Sequence, residues 1–236
     1  MGHILDKHID NYISKQMLKQ NKIDRADHIS SGKLTASMLG QPLQWQILKV
    51  KGIAPKDFEP YVLRKFQRGN DVEAWFIKST PNVKDTQKEL KYRNVVGIAD
   101  AIVDTKGFDF ECGVIPHEVK SVTNMKYKNI LRTGEADRGH LLQACLYALA
   151  LGSEHFAVDY IASDDYRLMS LVYKTSDYQK QVDDIISTFD EQLATGLIPV
   201  FIPEEKWQAN IKYNNYPEWS DLNPKEINDK YKLLVK

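Results

Sequence analysis

Only two cysteines, Cys112 and Cys145, occur in 236 residues. That excludes a disulfide framework, and the pair lacks the grouped spacing of a zinc or iron–sulfur site. Both are expected to be inert core thiols. Long apolar runs are missing too. The best candidate, "HLLQACLYALALG", is too short and too interrupted to span a bilayer. The opening "MGHILDKHIDNYISKQMLKQ" has no apolar core followed by a small-residue cleavage site. A cytoplasmic chain with no membrane partner is therefore expected. Neither sign of charge dominates, because 32 Lys and Arg offset 32 Asp and Glu, so no global field steers the protein toward nucleic acid or anionic lipid. The chain also lacks a G-x-S-x-G nucleophile motif and a Walker loop, which excludes the common serine hydrolases and an ATP-driven motor. With no linker, repeat or low-complexity tract, one domain over residues 1–236 is expected. Within it, 1–80 read as a helical N-terminal region, 90–175 as the core, and 176–236 as a C-terminal helix and tail.

The apolar pattern fills in that outline. Ile4, Leu5, His8, Ile9, Tyr12, Ile13 and Met17 recur at helical spacing, and a polar turn is expected around 27–32. "KLTASMLGQPLQWQILKV" predicts a helical segment interrupted near Gly40 and Pro42, and a third helix is expected from Asp57 to Ile77. From about Leu90 the period changes. "KYRNVVGIADAIVD" and "VIPHEVKSV" read as β-strands separated by the turn-rich "TKGFDFECG". Residues 137–151 predict a helix apolar nearly all round, closed by Gly152. "HFAVDYIAS" and "LMSLVYKT" are two further strands, and 176–195 a polar-faced helix. This order predicts a mixed α/β (α+β) fold, a central mixed sheet flanked by helices.

Several charged residues stand where apolar ones belong. Side chains alternate across a strand, so Glu118 and Lys120 share a face, roughly 6 to 7 Å apart. Asp100 shares its face with Ile98 and Ile102. On the third helix, Phe58, Val62, Phe66, Gly69, Glu73 and Phe76 form a core-facing stripe whose charged member is Glu73, and Gly69 would admit a neighbouring chain or ligand. A buried carboxylate must be paired, hydrogen-bonded or bound to a cation. Each position also has a plain structural explanation: an edge-strand ion pair for Glu118 and Lys120, a turn cap for Asp100, a salt bridge to Arg68 or Lys78 for Glu73. On the apolar helix, Gln143 and Tyr147 lie four apart on one face, with His140 one turn earlier. Residues 118–140 set Lys120, Lys126, Lys128, Arg132 and Arg138 against Glu118, Glu135 and Asp137, a local excess of +2.

In chain order these residues read as an acid on a helix ("RGNDVE"), Asp on a strand ("VVGIAD"), E-x-K on the next ("PHEVKS"), then Q-x-x-x-Y on a helix ("QACLY"). That order resembles the PD-(D/E)XK nuclease superfamily, in particular its RecB-like branch of phage-type and CRISPR-associated exonucleases. The resemblance spans roughly residues 30 to 160, and "ISSGKLTASMLGQPLQWQILKVKGI" is similar to the family's N-terminal helical region. Glu73 departs from the pattern, since many members carry histidine there. The four cysteines that hold an iron–sulfur cluster in some members are missing.

The resemblance implies a restriction-endonuclease-like core and a metal-dependent DNA nuclease, foremost an exonuclease acting on ends. The alternatives are an endonuclease or a non-catalytic nucleic-acid-binding module. It assigns Glu73, Asp100, Glu118 and the Val119 carbonyl to Mg²⁺ or Mn²⁺, Lys120 to the attacking water and developing charge, and Gln143 and Tyr147 to positioning. Lys126, Lys128, Arg132, Arg138 and His140 become candidate DNA contacts. Ser31, Lys33 and Ser37 become candidates to grip a terminal phosphate. No iron–sulfur cluster and no nucleotide cofactor are expected. DNA is the expected partner, with a helicase, recombinase or single-strand-binding protein as candidate co-workers, and a homo-oligomer fits as well as a monomer.

Overall fold

A computed structural model describes residues 6–29 and 32–234. Helix α1 (Asp6–Ile29) precedes a 3-10 turn (Ala36–Met38) and helices α2 (Leu43–Val50) and α3 (Pro60–Ser79). Strands β1 (Val83–Tyr92), β2 (Val95–Asp104) and β3 (Val114–Val122) follow, then helices α4 (Asn124–Thr133) and α5 (Arg138–Leu151). Strands β4 (His155–Ala162) and β5 (Leu168–Lys174) precede α6 (Thr175–Ala194), a second 3-10 turn (Lys206–Ala209), α7 (Pro217–Ser220) and α8 (Pro224–Leu234). Among the described residues no helix is long and apolar enough to cross a membrane.

The five strands form one sheet in the order β1-β2-β3-β4-β5. β3 and β4 run parallel and every other pair is antiparallel. The α4–α5 crossover between β3 and β4 is what makes that pair parallel. β4 is buried along nearly its whole length and edge strand β5 alternates, as their sequences require. This is the expected mixed sheet flanked by helices.

Helix α5 covers one face. Its Leu142, Ala144, Cys145 and Leu146 sit in a core shared with Trp45, Phe156, Val158, Val182, Phe189 and Trp219. On the other face, Val72 and Phe76 of α3 pack on Ala101, Val103, Val119 and Ile161. Proline at the first position favours the start of α3, and left-handed Gly152 closes α5.

Several boundaries differ from expectation. "KYRNVVGIADAIVD" is not one strand but the turn and second arm of a β1–β2 hairpin. β1, "VKDTQKELKY", buries only Leu90 and so carries no apolar alternation to betray it. The buried side of α3 is Leu63, Val72 and Phe76, whereas Phe66 of the expected stripe is 49% exposed. Apart from its own stretch of helix, no atom lies within 4 Å of where a side chain on Gly69 would begin, so that glycine serves no close approach. Ile98, expected beside Asp100 in an apolar setting, is 50% exposed. α1 runs into the expected polar turn as far as Ile29, and its Ile9, Tyr12 and Ile13 face outward. Ile4 and Leu5 lie outside the described residues. Cys145 is buried, with burial pushing its thiol up to about 12, but Cys112 is only partly covered.

Candidate active site

The site lies where two neighbouring strands part. β2 and β3 pair from Asp104 and Val114 to Ala101 and His117. The next pair in that register would be Asp100 and Glu118, and there the ladder stops. Beyond it β3 pairs with β4, and β2 with β1 apart from an isolated bridge between Val96 and Thr35. Parting strands free a backbone N–H, which must find another acceptor. Asp100 supplies it: its Oδ2 accepts from the Val119 amide at 2.8 Å.

A local distortion brings Asp100 there. Val95 and Ala99 belong to the core beside α5, whereas Ala101 and Val103 belong to the core beside α3. Strict alternation would keep all four on one face, so β2 changes sides at Asp100. On β1, the residues flanking the break are Thr86, paired to Ala101, and Lys88, paired to Ala99. Between them Gln87 adopts a left-handed conformation with φ 48°, which disfavours any residue with a Cβ. Its side-chain amide donates to Glu73 Oε1. Gln87, and not Arg68 or Lys78, is thus the hydrogen-bonding partner of Glu73.

Glu118 is fully buried and Lys120, on the same face, donates to its Oε1. Its other oxygen, Oε2, is buried with no partner. Burial, outweighing the help of Lys120 and reinforced by Asp100 and Glu73, pushes the Glu118 carboxyl up to about 8. Burial also raises Asp100, against the pull of Lys120 and the Val119 amide. Glu73 is raised by burial and by Asp100. For Lys120, burial alone would lower the pKa, but Glu118, Asp100 and Glu73 together hold it above its ordinary value. One ammonium thus serves three carboxyl groups, a set of oxygen donors suited to a cation that would displace the retained proton. Among the described residues no three His, Cys, Asp or Glu side chains are already drawn into a metal cluster. The acids instead satisfy Lys120, the Val119 amide and Gln87, and Glu118 Oε2 is left over. An all-oxygen donor set with an orphaned buried oxygen fits Mg²⁺ or Mn²⁺.

Helix α5 forms the opposite wall. The Gln143 amide donates to the Tyr147 hydroxyl at 2.9 Å, and Tyr147 is 1% exposed. Gly97 makes room for it, since a Cβ there would stand 2.6 Å from the Tyr147 ring and 2.6 Å from the Ala36 methyl. Gly40 does the same for the backbone: a Cβ on it would meet the Gly139 Cα at 2.5 Å, so the first 3-10 turn crosses the start of α5 in direct contact. His140 Nδ1 lies 2.9 Å from the Tyr160 hydroxyl, which also accepts from the Asp137 amide at 2.9 Å. Tyr160 is buried and its proton needs an acceptor, so it donates to Nδ1. Burial, together with Lys120, holds His140 below its ordinary pKa. The ring is therefore neutral, with its own proton on Nε2.

A cavity of about 350 Å³ opens beside these groups, lined by Ser37, Gln41, Lys120, Lys126, His140, Gln143, Glu205 and Trp207. Of the expected DNA contacts, Ser37, Lys126 and His140 reach it. Lys126 is paired there with Asp137 at 2.6 Å. Arg138 instead pairs with Glu204 at 3.3 Å. Lys33, Lys128 and Arg132 are exposed away from the cavity, and Ser31 lies outside the described residues. The C-terminal wall, residues 204–208, went unnoticed in the sequence, as did Gln87 and Tyr160. Gln208 is fully buried. Its Nε2 donates to the Gly40 carbonyl at 3.0 Å and its Oε1 accepts the Glu204 and Glu205 amides at 2.7 and 2.9 Å.

No protein-family profile and no curated protein matches the chain. Among solved structures, SSO0001 is 16% identical, covers 89% of this chain and 96% of its own, and superposes with a TM-score of 0.54. The likeness is one of fold. An alkaline exonuclease from Laribacter hongkongensis is 13% identical over 72% of this chain and 93% of its own, TM-score 0.49. A phage-related exonuclease from Haemophilus somnus is 11% identical over 70% and 96%, TM-score 0.44.

Proposed function

We propose that this chain is a divalent-metal-dependent nuclease that hydrolyses phosphodiester bonds of DNA, working from an end. The observation that carries the reading is the opposition of Asp100 and Glu118 at the fork between β2 and β3, with Lys120 one strand position further on the same face. Three acids sharing one lysine serve no evident purpose for stability, since burying charge is costly unless each group is matched. The same arrangement suits a phosphodiester, whose hydrolysis builds negative charge on non-bridging oxygens.

Mg²⁺ or Mn²⁺ held by Glu73, Asp100, Glu118 and the Val119 carbonyl would supply Lewis acidity toward water and phosphoryl group. Lys120 stays an ammonium beside the acids and stabilises charge developing on the phosphoryl oxygens. Its compact charge needs no forked geometry for this. Gln143, fixed by Tyr147, holds the scissile strand from the α5 side. Neutral His140 offers its Nε2 proton as a hydrogen bond to a phosphate oxygen. Lys126 can exchange Asp137 for a phosphate, which positions the backbone without reading sequence. At about 350 Å³ the cavity admits one nucleotide. A single terminal nucleotide is the unit that an end-acting nuclease releases, and a cleft of that size suits it.

The test is cleavage of end-labelled linear and closed circular DNA with Mg²⁺, Mn²⁺ or EDTA, comparing wild type with Lys120→Ala. Metal-dependent loss of linear DNA, absent in the variant, is the expected result. Nicking of the circle makes the enzyme an endonuclease. A wild type that binds DNA but cleaves neither substrate leaves a binding module instead.

A further inference from the structure

The cavity beside Lys120 has one wall that the hydrolytic chemistry does not use. Trp207 is 49% exposed, an uncommon state for the largest apolar side chain, and it lines the cavity with Lys120, Lys126 and Gln143. It is nevertheless tightly held. Its Nε1 donates to Glu205 Oε2 at 2.8 Å. Its backbone lies in a 3-10 turn closed by a capping box between Glu205 and Gln208. Gln208 in turn bonds the carbonyl of Gly40, which itself lines the cavity. The indole is thus anchored by one side-chain hydrogen bond on a backbone turn tied to Gly40, at the cavity that Lys120, Lys126 and Gln143 also line.

We propose that Trp207 is a stacking platform for a nucleobase: the terminal nucleotide of the substrate lays its base on the indole while its phosphate lies against Lys120 and Gln143. The inference rests on the nuclease reading of this cleft and extends it to the substrate. Indole stacking requires a base free of its partner, so the occupant is an unpaired or frayed terminal nucleotide. Because every base has a π-face, the contact is tolerant of sequence. A rotamer already fixed by Glu205 loses little freedom on binding, so more of the stacking energy appears as affinity.

The experiment measures binding of single-stranded oligonucleotides carrying 2-aminopurine at the 5′ end, at the 3′ end or internally, in EDTA to prevent cleavage. Wild type is expected to quench the probe at one end, and that end gives the polarity. Trp207→Ala should lose the quench and bind about tenfold more weakly, within the range for one base on one aromatic ring. Trp207→Phe should restore most of both. An oligonucleotide with an abasic site at the quenched end should lose the same factor with wild type and nothing with Trp207→Ala. In steady-state cleavage, Trp207→Ala should raise KM with little change in kcat, the mark of a binding contact. Because the side chain is half exposed, the variant should melt with wild type. Quenching and affinity unchanged in Trp207→Ala overturn the platform while metal-dependent cleavage stands. A wild type that neither binds nor cleaves any DNA overturns the nuclease reading, and the platform with it.

Discussion

Asp100 and Glu118 occupy the first register position at which β2 and β3 no longer pair, and Asp100 accepts the backbone hydrogen bond of Val119 that the parting strands leave open. Under the proposed function, one carboxylate would serve both the backbone and the chemistry. Replacing Asp100 with Ala therefore removes an acid and orphans a buried amide. It should cost about 1–3 kcal/mol of stability, read by urea denaturation, besides abolishing cleavage. Asp100→Asn, which keeps an acceptor oxygen, should recover most of the stability and none of the activity.

Glu118 makes stability depend on pH. Its carboxyl lies at about 8 in the folded chain against an ordinary 4.5, so the folded state holds a proton that the unfolded state gives up. The sign follows from linkage: the stabilising proton is fully retained below 4.5 and lost as pH rises through 8. In EDTA the Tm should fall across that window. Mn²⁺ should flatten the fall by favouring the ionised form, and Glu118→Gln should remove most of it. A Tm that climbs through the same window in EDTA refutes the assignment.

Lys120→Ala should lower kcat by about a hundred- to a thousandfold, the usual cost of losing a group that meets developing charge. Its effect on stability should itself depend on pH. Lys120 lowers the Glu118 carboxyl, so without it Glu118 keeps its proton to a still higher pH, and at neutral pH the variant should melt near wild type. At higher pH the uncompensated charge has no such escape, and the difference should widen.

Gln87 separates strain from function. Gln87→Gly relieves the left-handed conformation at φ 48° and should raise stability by about 1 kcal/mol. It also frees Glu73 from its amide partner, and cleavage at subsaturating metal should drop. A variant that is both less stable and fully active would show that the conformation serves the sheet alone.

Gly97→Ala tests the other wall. The added methyl would sit 2.6 Å from Tyr147 and Ala36, an overpacking expected to cost about 1–3 kcal/mol in urea denaturation. Since Tyr147 orients Gln143, activity should fall further than unfolding explains at temperatures where the variant is fully folded.

What could be read from the sequence was whatever local periodicity encodes. Period two placed Glu118 and Lys120 on one face, and the four-residue step placed Gln143 under Tyr147, because both relations lie within one element. The opposition of Asp100 and Glu118 depends on strand register, which no single segment contains. β1 was missed because a strand that buries only Leu90 leaves no apolar rhythm, and Gln87 was hidden with it. The basic cluster was read as one patch because α4 was not seen as a helix. Two residues along a helix turn about 200°, so Lys126 can face the cavity while Lys128 points away. The C-terminal wall reaches the cleft by a contact between Gln208 and Gly40 across 168 residues of chain, beyond any pattern of spacing.

That contact also sets an order of assembly during synthesis. Glu73, Asp100, Glu118, Lys120 and Gln143 all precede β4 in the chain, while Trp207 and Gln208 follow α6. A growing polypeptide therefore has these acids in hand well before the wall that completes the cavity beside Lys120. Only when residues near 208 return to Gly40 does the strand fork gain its C-terminal wall, so on the proposed reading substrate selectivity would be acquired after the acids are in place.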